Sequence, residues 1–330
     1  MLTESKTSEN LINRGLSSYV HTRVLSEQRR GNTHKPKTRS QRASYRLDTR
    51  RTLQNLALAI GEAELADKVC RCHGNVSVVS CGQHISRLIP DYACGFRLCP
   101  DCGRRRASKL IRKYLSAVVT FPKVSNTEAV HLVLTQAHRQ ETLQDSIKRI
   151  TASFKALRRR SFWNEHFKGG LFAVEFTIDK QGRYHTHLHI LAFRTRFFDV
   201  QRLKDLWLDI TGDSTNLRLD RIANDDLIEG LREVLKYAVK PASIAEFTPA
   251  HLADFIAMKR QRMFGTFGEF QKFARTHEPT QEALSLLLPD VLQGGVGDPC
   301  SVCGKELQEF RLKGDQLPEF LRRIERGQRE

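Results

Sequence analysis

The chain has 330 residues, with 54 Lys and Arg against 37 Asp and Glu, a formal net charge of +17. Such a balance suits a polyanionic partner, because each neutralised phosphate releases counterions. No apolar run approaches the roughly 18 residues of a membrane span, and the opening MLTESKTSENLINRG lacks the apolar core of an export signal. A cytoplasmic protein without a membrane partner is therefore expected, and its eight cysteines fit metal ligation better than a disulfide framework.

In chain order, residues 1–50 are polar and basic, and HKPKTRSQRASYR (34–46) has no apolar periodicity; this stretch is expected to be a disordered arm, either DNA-binding or a solvated tail without a role. A helix is expected over 52–67, then a cysteine-rich segment over 70–103 and an amphipathic helix over 108–121. VHLVLT (130–135) reads as a strand and 141–160 as a basic helix. LFAVEFTID (171–179) and RYHTHLHILAF (183–193) read as a β-hairpin. Helices follow over 198–209 and 225–240, with shorter helical pieces around 249–261, 269–275 and 315–327. Residues 51–125 are expected to form a helix plus zinc-binding region, 126–275 a catalytic core, and 276–330 a C-terminal region containing a CxxC.

The hairpin is the most informative segment. Side chains alternate along a strand, so Leu188 and Ile190 face one way and His185, His187 and His189 the other. Two imidazoles at i and i+2 converge on a point that suits a metal. The turn Asp179-Lys180-Gln181-Gly182 places glycine at the left-handed position of a three-residue loop. Pairing Asp179 with Arg183 sets Glu175 opposite His187 and Ala173 opposite His189, with Phe172, Val174 and Phe176 on the apolar face. A one-residue slip would destroy that segregation. Glu175 is thus the inferred third ligand, and His185 stands as a ligand, an outer donor or a phosphate contact.

In the 225–240 helix, Leu227, Leu231, Val234, Leu235 and Ala238 make an apolar stripe. Glu229, Glu233, Tyr237 and Lys240 lie on a neighbouring face. A tyrosine hydroxyl can attack a phosphodiester when a metal polarises the phosphate and cations stabilise the phenolate. Lys236 and Lys240 supply that field, and Glu233 can serve as a base.

His187-Leu188-His189, followed by a helix containing Glu233 and Lys236-Tyr237-Ala238-Val239-Lys240, resembles the HUH endonucleases, nearest to the rolling-circle replication initiators of small bacterial plasmids. Leu132-Val133-Leu134-Thr135, Gly169-Gly170-Leu171 and Phe96-Arg97-Leu98-Cys99-Pro100-x-Cys102 resemble further motifs of that family. The family pattern has an aromatic and a proline around the first histidine, where this chain has Tyr184 and Thr186.

The resemblance covers about residues 70–270 and implies an α+β, ferredoxin-like core with a central antiparallel sheet and flanking helices. It implies Mg²⁺ or Mn²⁺ on His187, His189 and Glu175, attack by Tyr237 to give a 5′-phosphotyrosine, and a freed 3′-hydroxyl that primes synthesis. Glu233 would activate water for the terminating cut. The partners implied are single-stranded or hairpin origin DNA and the host helicase and polymerase.

Cys81, Cys94, Cys99 and Cys102 have the spacing of a structural four-thiolate zinc site, with Arg104, Arg105 and Arg106 following on a DNA-facing surface. Cys70, Cys72, His73, Cys300 and Cys303 are half-sites of a possible second zinc site, and ligands can exchange between the two. Other readings are an HUH transposase or relaxase and a non-catalytic zinc-finger regulator. Paired tyrosines would favour transposition, and Tyr237 has no tyrosine partner on its helix. The regulator reading leaves the histidine hairpin without a purpose. The basic arm, the cysteine region and residues 256–276 are each candidates for reading the origin.

Overall fold

The computed structural model describes residues 38–239, 244–258, 261–278 and 296–327, with side chains at 237–239 outside that set. Helix α1 (Arg39–Ala59) starts at a capping box: Thr38 accepts from the Gln41 amide and the Gln41 side chain accepts from the Thr38 amide. Residues 39–50, assigned above to the disordered arm, are therefore helical. Their charge is used locally, since Arg46 and Arg50 both pair with Asp101, at 2.8 and 3.1 Å. The expected 52–67 helix is split at Gly61, where α1 gives way to α2 (Ala63–Arg71).

Strands β1 (Asn75–Ser80) and β2 (Ile85–Pro90) precede the long α3 (Pro100–Ser125). Then come β3 (Glu128–Thr135), α4 (Leu143–Leu157), the short α5 (Ser161–His166), β4 (Phe167–Ile178) and β5 (Tyr184–Arg194). Next are α6 (Val200–Thr211), β6 (Leu217–Arg221), α7 (Leu227–Val239), α8 (Pro249–Ala257), β7 (Phe264–Phe267) and α9 (Gly268–Thr276). Strand β8 (Gln308–Lys313) and α10 (Leu317–Gly327) end the described chain. Strands β1, β2, β6, β7 and β8, each of six residues or fewer, are not among the elements expected from the sequence.

The larger sheet is antiparallel throughout, in the order β6-β3-β5-β4-β7. Its chain order β3-α4-β4-β5-α6-β6, with β5 next to β3 and β6 outside it, is the split ferredoxin-like arrangement. The histidine strand β5 is thereby central. One face is covered by α4, α6 and α8, around Leu132, Leu134, Ile147, Val174, Phe176, Leu188, Ile190 and Trp207. The other is covered by α3, α7 and α9, around Leu115, Val118, Leu171, Leu191, Phe193, Leu231 and Phe270. At Gly170 (φ 158°) a Cβ would come 2.0 Å from the Leu191 carbonyl oxygen, so only glycine lets β4 approach β5 there. The smaller sheet, β2-β1-β8, joins the two ends of the described chain.

Candidate active site and metal centres

The β4–β5 turn sets the site. The Asp179 amide donates to the Arg183 carbonyl (3.0 Å), the Gly182 amide donates to the Asp179 carbonyl (2.9 Å), and Gly182 takes φ 75°. Both the Gln181 and Arg183 amides donate to Asp179 Oδ1 at 2.9 Å. The resulting register pairs Glu175 with His187 and Ala173 with His189. Tyr184, Thr186, Leu188 and Ile190 point into the first core, which leaves His185, His187 and His189 on the α7 side.

Glu175 meets His189 rather than its direct cross-strand partner, with His189 Nε2 2.9 Å from Glu175 Oε2. The other ring nitrogen, Nδ1, lies 3.3 Å from Nε2 of His131 on β3. His131 is buried and stacks on His189 at 5.5 Å. Its Nδ1 has no hydrogen-bond partner among the described residues. Burial, and then the neighbouring His189, push its pKa down to about 3. The pKa of His187 is likewise pushed down to about 3, by burial and then by His185, His189 and His138. These imidazoles are neutral near pH 7, the form that coordinates a metal.

His185 packs between His187 (4.1 Å, edge-on) and His138 (4.0 Å, tilted), and His138 Nδ1 lies 2.8 Å from Asp179 Oδ2. His185 is thus engaged at the turn end of the hairpin, away from the Glu175–His189 contact. His131 and His138 escape sequence reasoning because each reaches the hairpin from a different part of the chain.

Helix α7 packs through Leu227, Leu231, Val234 and Leu235 against Leu171, Ala173 and Leu191, directly beside the histidines. Glu233 and Lys236 form an ion pair at 3.0 Å, and both act electrostatically on His131. This part of α7 therefore lies within electrostatic reach of His131. Tyr237 falls in α7 one turn beyond Glu233; its side chain, and Lys240, lie outside the described residues.

Among the described residues, two sets of donors converge to within 4.8 Å: Cys72, Cys94, Cys99 and Cys102, and Cys81, His84, Cys300 and Cys303. In the first, Cys72 Sγ lies 3.6 Å from both Cys99 and Cys102, and Cys94 lies 3.6 Å from Cys102. The Cys94 amide donates to the Cys72 sulfur (3.4 Å) and the Gly95 amide to the Cys102 sulfur (3.3 Å). Four crowded sulfurs receiving backbone amides suit a metal that takes thiolates.

The grouping corrects the expected one: Cys81 leaves the first set and Cys72 enters it. Strand β1, six residues long and so about 20 Å in extent, carries Cys81 away from Cys72. The antiparallel β2 returns the chain to Cys94. Cys70 is exposed and outside both sets. His73 Nδ1 approaches the Cys72 sulfur at 3.3 Å without joining its set. Cys81 and His84 take the place of the expected Cys70, Cys72 and His73 beside Cys300 and Cys303.

Of the basic residues after Cys102, Arg104 and Arg105 are exposed. Arg106 turns back to the protein, donating to the Gly95 carbonyl at 3.2 Å.

A family model described as replication protein matches residues 86–290. A "Protein rep" of Lactiplantibacillus plantarum is 33% identical over 141 residues, 41% of this chain and 44% of that protein. One of Staphylococcus aureus is 29% identical over 166 residues, 47% of this chain and 72% of that protein. One of Streptococcus pneumoniae is 25% identical over 231 residues, 64% of this chain and 71% of that protein. The chain therefore spans less than half of the first relative and about seven tenths of the other two. No solved structure matches significantly. The match covers the larger sheet, the histidine hairpin, α7 and most of the first cysteine set, and on that basis the chain belongs to the replication-protein family.

Proposed function

We propose that this protein is a plasmid replication initiator of the HUH endonuclease type, nicking one DNA strand at an origin and rejoining it through a phosphotyrosine at Tyr237. The observation that carries this reading is the contact of Glu175 with His189 on the central strand, beside the helix that contains Tyr237.

His187, His189 and Glu175 would hold Mg²⁺ or Mn²⁺; two imidazoles and a carboxylate fit such an ion, which when bound polarises the scissile phosphate. His131 fixes the ring of His189 from behind, as outer partners of metal-bound histidines do. His185, held by His138, flanks the ligands and is suited to a phosphate oxygen or an outer contact. The Tyr237 hydroxyl attacks phosphorus and loses its proton, its oxygen becomes bonded to the 5′-phosphate, and the 3′-oxygen leaves as a hydroxyl that primes a polymerase. Lys236 and Lys240 favour the phenolate, and Glu233 takes a proton from the water or hydroxyl of the closing step. Arg104 and Arg105 are suited to the DNA backbone. A host helicase and polymerase complete the cycle.

The test is nicking of supercoiled plasmid carrying the cognate origin, with and without EDTA. Metal-dependent relaxation, with a covalent DNA adduct lost in Tyr237→Phe, is expected. A persisting adduct in that variant, or binding without nicking in wild type, overturns the reading.

A further inference from the structure

We infer that Cys81, His84, Cys300 and Cys303 form a structural zinc site that clamps the C-terminal β8–α10 unit to the N-terminal β1–β2 hairpin. The site is independent of the active-site proposal, and it shares no residue with the Cys72 set.

Four donors of the right kind converge. Cys81 Sγ lies 3.5 Å from Cys303 Sγ and 3.6 Å from His84 Nδ1, and Cys300 Sγ lies 3.8 Å from the same nitrogen. Ligands at tetrahedral zinc, with Zn–S near 2.3 Å and Zn–N near 2.0 Å, are separated by roughly 3.5 to 3.8 Å. The three measured edges fall in that range. A disulfide between Cys81 and Cys303 would need its sulfurs about 2.0 Å apart, well inside the observed distance.

The backbone is built for thiolates as well. The His84 amide donates to Cys81 Sγ at 3.3 Å. The Cys300–Cys303 loop closes through the Gly304 amide on the Cys300 carbonyl (2.8 Å), and the Cys300 amide bonds the Lys305 carbonyl at the same distance. Buried Cys300 packs with Val79 and Leu307, so the loop is seated on β1.

The two halves of the site are 222 residues apart between Cys81 and Cys303. Strand β8 is a polar edge strand of the small sheet, with Phe310 and Leu312 contributing to its core. Its register, Gln308 with Ser80 through Lys313 with Asn75, starts beside the metal ligands. From β8 the chain enters α10, whose Leu321 and Ile324 pack on Ala43 of α1. There Glu325 accepts from the Ser40 hydroxyl at 2.6 Å and from its amide at 3.1 Å. A zinc at the start of this path fixes the register of β8 and, through it, the seat of α10.

The test measures zinc in the full chain, and in Cys303→Ser and His84→Cys, purified without chelator. Two zincs are expected in wild type and in His84→Cys, which keeps four donors. One is expected in Cys303→Ser, together with at least a tenfold faster tryptic loss of residues 296–327. One zinc in wild type, or an unchanged zinc content in Cys303→Ser, overturns the proposal. If Cys303→Ser does not fold, the wild-type chain is refolded with Co²⁺. A second equivalent with tetrahedral d–d bands supports the site, and a titration ending at one equivalent overturns it.

Discussion

His189 is held at both ring nitrogens: Nε2 lies 2.9 Å from Glu175 Oε2 and Nδ1 lies 3.3 Å from His131 Nε2. A histidine clamped this way has its ring plane fixed before any cation arrives. Replacing Glu175 by alanine removes both a donor and the partner of Nε2. Metal-dependent nicking should fall by a hundredfold or more in Glu175→Ala, while DNA binding in EDTA, measured by gel shift, stays within about twofold.

His131 touches His189 from the buried side, and outer partners of this kind typically contribute about 10- to 100-fold to metal affinity or activity. His131→Asn should lose activity within that range, with part of the loss recovered at higher Mn²⁺. An undiminished rate at limiting metal would remove His131 from the site.

The same residue gives a pH dependence. Burial holds the folded pKa of His131 near 3, against about 6.5 in an unfolded chain. Between those values the unfolded state binds the extra proton, so stability rises with pH and is lost as pH falls from 6.5 toward 3. One proton corresponds to a slope of about 1.4 kcal/mol per pH unit. Urea unfolding of metal-free protein from pH 4.5 to 6.5 should show that slope reduced by up to this amount in His131→Asn.

The Cys72 set brings together the end of α2, the 94–99 loop and the start of α3. Cys99 is fully buried and its neighbour Asp101 receives Arg46 and Arg50 from α1. Cys99→Ser should release one zinc and lower the thermal midpoint by 10 °C or more, since ligand-set binding energy is folding energy. Retention of both the midpoint and the zinc would count against a metal at this set.

Leu231 is fully buried where α7 meets the sheet. Leu231→Ala should cost about 2–5 kcal/mol in chemical denaturation. Nicking should fall more than DNA binding, because the helix containing Tyr237 loses its seat.

The histidine register is legible in the sequence, because the Asp179–Gly182 turn and the alternation of Phe172, Val174 and Phe176 admit one pairing only. Local rules also place α3, α4, α6 and α7, whose apolar spacing is strong. They fail at β6, β7 and β8, which are short strands defined by neighbours distant in sequence. They fail also at 39–50, where a basic composition conceals a helix that Asp101 and Glu325 hold in place.

By itself the sequence determined which residue types could do the chemistry: the paired histidines, the opposed glutamate, the Tyr237 helix and a supply of thiols. Tertiary structure decided which of them meet. It brought His131 behind His189, because β3 pairs with β5, and it brought His138 to His185. It also sorted the thiols other than Cys70 into two sets, because β1 carries Cys81 about 20 Å from Cys72 while β8 returns Cys300 and Cys303 to it. Spacing along a chain fixes only neighbours within an element; which ends of separate elements meet is set by the strand order of the sheets they join.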